Sequence, residues 1–145
     1  MKVVENLKMI GHILDNRYKI LEEVGTGGMA VVYKAQDILL DRIVAVKILL
    51  AKYGDDHDFV VRFRQEAQAA AKLSHPNIVN IYDVGYDENV HYIVMEYVRG
   101  ETLKEYIEKH GHLPINTSIQ ITFDIGEALE NAHVINRQQS PRLSI

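Results

Sequence analysis

The sequence predicts an α+β fold: an antiparallel sheet of five strands carrying one main helix, followed by two further helices. Three observations predict it. Segments rich in β-branched and aromatic residues recur before residue 98, at Tyr18–Val24, Ala30–Ala35, Ile43–Leu50, Ile78–Gly85 and His91–Glu96. One stretch rich in Arg, Gln, Glu and Ala, Asp58–Leu73, separates the third of these from the fourth. Beyond residue 100 the apolar residues fall at helical spacing instead.

The first two segments form a hairpin, because Gly25-Thr-Gly-Gly28 turns the chain between them. After the Asp41-Arg42 turn, Ile43–Leu50 is apolar apart from Lys47, and side-chain alternation puts Ala45 and Lys47 on one face. Asp58–Leu73 begins with acids suited to a helix N-terminus and stops before Ser74-His75-Pro76-Asn77, which breaks a helix. The fourth and fifth strands join through the polar turn Tyr86-Asp-Glu-Asn89. Gly100 opens a connector to a short helix over Thr102–Lys109, and Pro114 starts a longer one over Ile115–His133, with Ile115, Ile119, Ile125 and Leu129 on its apolar stripe. Val134–Ile145 has no period and is expected as an irregular tail. The expected organisation is therefore an N-terminal extension over 1–17, a sheet domain over 18–98, a connector with helices over 99–133, and the tail over 134–145.

With 145 residues, 47% apolar and 25% charged, the chain has the make-up of one ordinary domain or a piece of one. A formal charge of -4 with mixed signs gives no general attraction to nucleic acid. The absence of cysteine rules out disulfides, zinc-thiolate sites and thiol nucleophiles. Met1–Leu14 lacks the apolar run of a signal peptide and no later segment is long and apolar enough for a bilayer, so no membrane segment and a cytoplasmic location are expected. The seven histidines are scattered or sit in turns, as His75 does, and no metal site is expected from them.

A loop that lies against polyphosphate needs bare backbone, and Gly25, Gly27 and Gly28 supply it at the hairpin tip. Taken alone these glycines equally suit a hairpin turn. They sit between two strands, which excludes a dinucleotide fingerprint opening a helix, and no Lys-Ser or Lys-Thr follows as in a Walker loop. Lys47 is a single charge in an apolar strand and requires an anion. On the helix, Phe59, Phe63, Glu66 and Ala70 follow steps of four, three and four, which places Glu66 on the stripe expected to pack on the sheet. Glu66 is the natural mate of Lys47.

Taken in order, the loop Val24–Val32, Val44-Ala-Val-Lys47, Glu66, Leu73-Ser-His-Pro-Asn-Ile-Val79 and Tyr92-Ile-Val-Met-Glu-Tyr-Val98 resemble the protein kinase family. The wording Gly-Thr-Gly-Gly-Met-Ala-Val-Val-Tyr-Lys is most similar to bacterial serine/threonine kinases that carry penicillin-binding repeats. The resemblance implies a kinase-like N-lobe over 18–98 and the first C-lobe helices over 99–133, with ATP and magnesium as cofactors and a protein as substrate. It implies that Val24, Gly25, Thr26, Gly27, Gly28, Met29, Ala30, Val31 and Val32 cover the ATP phosphates, that Lys47 holds the α- and β-phosphates, and that Glu66 orients Lys47. Val24, Val32 and Ala45 would sandwich the adenine, Met95 would be the gatekeeper, the backbone of Glu96 and Val98 would meet the adenine edge, and Thr102 would approach the ribose. Ala30 stands where the general pattern has its third glycine. Bacterial relatives also pair through their N-lobes, so an N-lobe dimer or an intact kinase is an implied partner.

The resemblance stops near Ala132-His133. Where the family has His-Arg-Asp-x-Lys-Pro-x-Asn, only Ile135, Arg137 and Pro141 keep the spacing, with Asn136 in place of the histidine, Gln138 of the catalytic aspartate, Ser140 of the lysine and Leu143 of the metal-binding asparagine. No Asp-Phe-Gly follows, so the magnesium ligands are absent from the sequence. The expectation is an ATP-binding lobe cut short by truncation or a shifted frame, without turnover of its own. The alternative is a non-catalytic module that binds an intact kinase.

Overall fold

The computed structural model describes residues 9–139. Tertiary contacts divide the chain into two units, with boundaries at Ala71/Lys72, Val79/Asn80 and Tyr97/Val98. The first unit holds β1 (Ile13–Leu14), β2 (Tyr18–Thr26), β3 (Ala30–Asp37), β4 (Arg42–Leu49), α1 (Ala51–Gly54), α2 (His57–Ala71), β5 (Ile81–Asp87) and β6 (Val90–Glu96). The strands form one antiparallel sheet in the order β1-β2-β3-β4-β6-β5. The sheet has six strands rather than the expected five. The additional strand, β1, lies inside the stretch expected as an extension, and Leu14 and Met9 are buried in the sheet's core. A two-residue strand is too short to show alternation, which is why the sequence pattern missed it.

Alternation gives the sheet two working faces. On one, Tyr18, Ile20, Val31, Tyr33, Ala35, Val44, Val46, Ile48, Tyr92 and Val94 form a buried cluster. The sheet curls around this face, since Tyr18 of β2 meets Tyr92 of β6 edge-on with ring centroids 6.0 Å apart, and its hydroxyl donates to Asp83 Oδ2 of β5 at 2.8 Å. Burial pushes the Tyr92 phenol up to about 12 and raises that of Tyr18 as well. Gly85 lies under the Tyr92 ring, where a Cβ would come 2.1 Å from Cζ.

The other face carries α2. Phe63 and Ala67 pack with Ala30, Leu49 and Ile93, a step of four along the helix. Phe63 packs on the sheet as expected, but Phe59 stacks on Tyr53 of α1 with centroids 4.4 Å apart. The preceding one-turn helix intercepts Phe59, an arrangement that helical spacing alone does not reveal.

The second unit takes in Lys72–Val79 and the chain from Val98 onward. Its helices are α3 (Leu103–His110) and α4 (Ile115–Gln139). Asn77 Nδ2 donates to the Asp124 carbonyl of α4 at 3.0 Å, while the Asn77 N–H donates to His75 Nδ1 at 3.1 Å. His75 is thus a turn-former, as expected. α4 continues through Val134–Gln139, where an irregular tail was expected, and its backbone there is helical rather than looped. Arg137, Gln138 and Gln139 are good helix formers, and the first breaker in the sequence is Pro141. Ser140 and Leu143 lie outside the described residues. Ile115, Ile119, Phe123 and Leu129 of α4 are exposed, Ile115 by 79%.

Candidate functional site

The α2 face of the sheet gathers the expected residues of the first unit. On β4, Ala45 stands beside Lys34 of β3 and Met95 of β6, and Lys47 beside Val32 and Ile93. Ala45 is buried, whereas Val32 and Met95 are half-buried. Lys47 Nζ leaves this surface and donates to Glu66 Oε1 of α2 at 2.8 Å, with the Phe63 ring centroid 5.8 Å from the ammonium. The pair expected from sequence is formed. The Lys47 side chain is 23% exposed and that of Glu66 60%. An ammonium carries three N–H donors and Glu66 takes one, so Lys47 is oriented while retaining capacity for an anion.

The hairpin tip lies one strand over. Gly25 pairs with Val32 and Thr26 with Val31, and the Gly27 N–H donates to the Ala30 carbonyl at 2.8 Å. None of Gly25, Gly27 and Gly28 has a positive φ. A Cβ at Gly25 or Gly28 would meet nothing within 4 Å, and one at Gly27 only the Ala30 carbonyl at 3.5 Å. A turn requirement therefore does not explain these glycines. What they provide is exposed backbone with no side chain above it. Val24 is exposed at the same tip, Met29 half-buried, and Ala30 and Val31 buried beneath it. The Thr26 hydroxyl donates to Glu23, fixing the one polar side chain of the loop.

At the far end of β6, the Glu96 N–H donates to the Asn80 carbonyl at 2.8 Å, and the Glu96 carboxylate accepts from the Asn80 N–H at 3.2 Å and Nδ2 at 2.9 Å. Asn80 thus holds the end of β6 through three hydrogen bonds to Glu96, a contact that nothing in its spacing marks. Val98 begins the second unit and is exposed. Thr102 is the N-cap of α3: its hydroxyl accepts from the Glu105 N–H at 3.1 Å, while the Thr102 N–H donates to the Glu105 carboxylate at 2.6 Å. The capping N–H and hydroxyl hold the Glu105 carboxyl below its usual range.

Among the described residues, no group of three or more His, Asp or Glu side chains is placed to hold a metal ion. No helix among the described residues is long and apolar enough to cross a membrane.

A curled antiparallel sheet with a helix docked on it, a bare glycine tip and a strand lysine paired to a helix glutamate make up an N-terminal lobe of the protein kinase type. The chain belongs to the protein kinase family: residues 18–137 match the protein kinase domain. Its relatives are bacterial serine/threonine kinases. It is 53% identical over 136 residues to a probable serine/threonine-protein kinase of Clostridium acetobutylicum, covering 92% of this chain and 21% of that protein. It is 49% identical to the serine/threonine-protein kinase PrkC of Bacillus subtilis, again covering 92% of this chain and 21% of that protein. Among solved structures it superposes on the Mycobacterium tuberculosis PknI kinase domain with a TM-score of 0.72 at 28% identity, over 85% of this chain and 50% of that one. The chain thus spans about a fifth of the length of the curated relatives and half of the solved kinase domain.

Proposed function

We propose that this chain is a nucleotide-binding portion of a serine/threonine protein kinase and holds ATP on its α2 face. The tip Val24–Val32 would lie over the phosphates and Lys47 would contact the α- and β-oxygens. Glu66 would keep the ammonium in place. Ala45, Val24 and Val32 would line the adenine, with Met95 behind it and the backbone of Glu96 and Val98 at its edge. The single observation that carries the reading is the combination at one surface of glycines with no conformational or packing need and an ammonium with spare donors. The whole protein would transfer a phosphoryl group to protein hydroxyls, as the names of its relatives state for them. This chain would bind nucleotide without turnover, because its sequence has neither a His-Arg-Asp nor an Asp-Phe-Gly motif.

Titration calorimetry with ATP tests the reading. Saturable binding weakened at least about tenfold by Lys47→Met supports it, since a charge-assisted contact to phosphate is lost. Binding equal in the two proteins, or none in either, overturns it. Phosphorylation of a protein by the purified chain, abolished by Lys47→Met, would overturn the absence of turnover.

A second reading, pairing with another kinase N-lobe, is favoured by one surface feature. Ile38, Leu39 and Leu40, at the β3–β4 turn, are three consecutive exposed apolar residues, Leu39 by 73%. A Leu39→Asp variant that elutes at the same size as the unsubstituted chain removes this reading.

A further inference from the structure

We infer that Lys34 is a positioning residue for the adenine end of the site, acting by tying the β2–β3 hairpin to the segment that follows β6. The inference rests on the ATP reading above. Lys34 lies on β3 opposite Ala45, on the face that Val32 and Ala45 share. Its ammonium donates to Glu22 Oε1 of β2 at 2.8 Å and stands 5.6 Å from the centroid of the Tyr97 ring. Tyr97 lies between Glu96 and Val98, the two residues whose backbone would meet the adenine edge. One cation therefore spans three pieces of chain: the strand leading into the glycine tip, the strand next to the adenine-lining alanine, and the segment carrying the edge-recognising backbone.

The strands at this point need such a tie. The β2–β3 ladder shifts register between Ile20 and Glu22 and again between Glu23 and Gly25, so the hairpin is irregular on both sides of Glu22. Backbone hydrogen bonding there does not by itself fix where Val24 sits relative to Ala45. An ion pair to Glu22 at the intervening step and a cation–π contact to Tyr97 set that spacing. Each contact is partly solvated, so their sum suits a positioning role and contributes little to global stability.

The role predicts a pattern across ligands that a general stability effect would not produce. Adenosine and ATP share the base, whereas only ATP meets Lys47. Lys34→Met should weaken adenosine and ATP by the same factor, about two- to fivefold, a size suited to partly exposed ion-pair and cation–π contacts. Lys47→Met should weaken ATP more than adenosine. Lys34→Arg, which keeps the charge and stacks on the tyrosine, should restore binding. The measurement is calorimetric titration of the full chain and each variant with adenosine and with ATP, beside thermal melts. Equal loss for both ligands with an unchanged melt and rescue by arginine supports the role. Unchanged affinity in Lys34→Met, a loss confined to ATP, or a loss that follows a lowered melt and is not rescued overturns it. If the unsubstituted chain binds neither ligand, the ATP reading itself fails, a result separate from the others.

Discussion

Two ion pairs in the first unit have the same 2.8 Å separation and opposite uses. On the curled face, Arg17 sends Nε and Nη2 to the two oxygens of Asp37, both at 2.8 Å. Arg42 Nε lies 3.6 Å from the same carboxylate, and the Leu40 N–H donates to it at 3.3 Å. The Asp37 side chain has 0% exposure, and Arg42 stacks on Tyr82 with its guanidinium carbon 3.9 Å from the ring centroid. On the α2 face, Lys47 and Glu66 make one hydrogen bond, and the carboxylate is mostly in solvent. The first pair is bidentate on a carboxylate that is wholly buried, whereas the second is a single bond to a carboxylate that is mostly exposed. The glycines divide in the same way: Gly85 is required by the Tyr92 ring above it, and Gly25 and Gly28 by nothing in the chain. The curled face is held by buried groups in multiple contacts, and the α2 face leaves its corresponding groups open.

The largest test of this contrast is Gly85→Ala. A methyl group 2.1 Å from a ring that is itself buried forces Tyr92 out of the core or bends β5. The expected loss is about 3 kcal/mol of unfolding free energy by denaturant titration, whereas Gly28→Ala should cost less than about 1 kcal/mol. Equal losses would break the comparison.

Asp37→Asn comes next, at about 2 kcal/mol, because the variant keeps the shape but leaves two guanidinium groups beside a neutral amide. Arg17's hydrogen bond is the main cause holding the Asp37 carboxyl below its usual range, with the Leu40 N–H and the charge of Arg42 adding to it. A carboxyl whose folded pKa is depressed contributes stability above its ordinary value of about 4, and loses it as pH falls through the folded value. The difference in stability between the protein and Asp37→Asn should therefore be constant from neutral pH to about 5 and shrink below about 4. Lys47→Met should behave in reverse: a loss of ATP affinity of at least about tenfold with a change in melting temperature below about 3 °C.

The legible parts of the molecule were those whose physics is local or periodic. β2, β3, β4 and β6 announce themselves by β-branched runs, and Lys47 by being one charge in an apolar strand, which forces the search for Glu66. What escaped is what the curl brings together. Arg17 and Asp37 are twenty positions apart and Tyr18 and Asp83 sixty-five, and no spacing rule links them. β1 was hidden by its length, and the continuation of α4 by the lack of any apolar period after His133. Asn80 was unreadable because its partner Glu96 is chosen by the bulge between Ile81 and Asp83, not by sequence distance.

The smallest expected effect sharpens the contrast, because His91 is a half-buried titratable group on the open face. Its ring lies 4.5 Å from that of Tyr86, and its Nδ1 is buried without a hydrogen-bond partner. Tyr86 from β5 and Arg64 from α2 face it, and the Tyr86 hydroxyl is itself fixed by donating to Asn89 Oδ1 at 2.9 Å. Burial first, and then the charge of Arg64, lower its pKa below the ordinary value of about 6.5. The unfolded chain therefore binds a proton at His91 before the folded one does. The stability this residue contributes is fully present above about pH 6.5 and is lost as pH falls toward the folded value. His91→Gln should abolish that slope, so that the melting temperatures of the two proteins differ by more at pH 7.5 than at pH 5.5, the change being no more than about 4 °C. Because α2 carries both Arg64 and Glu66, the same acid range should weaken ATP binding in the unsubstituted chain more than in His91→Gln. A pH profile identical in the two proteins would place His91 among the solvated histidines.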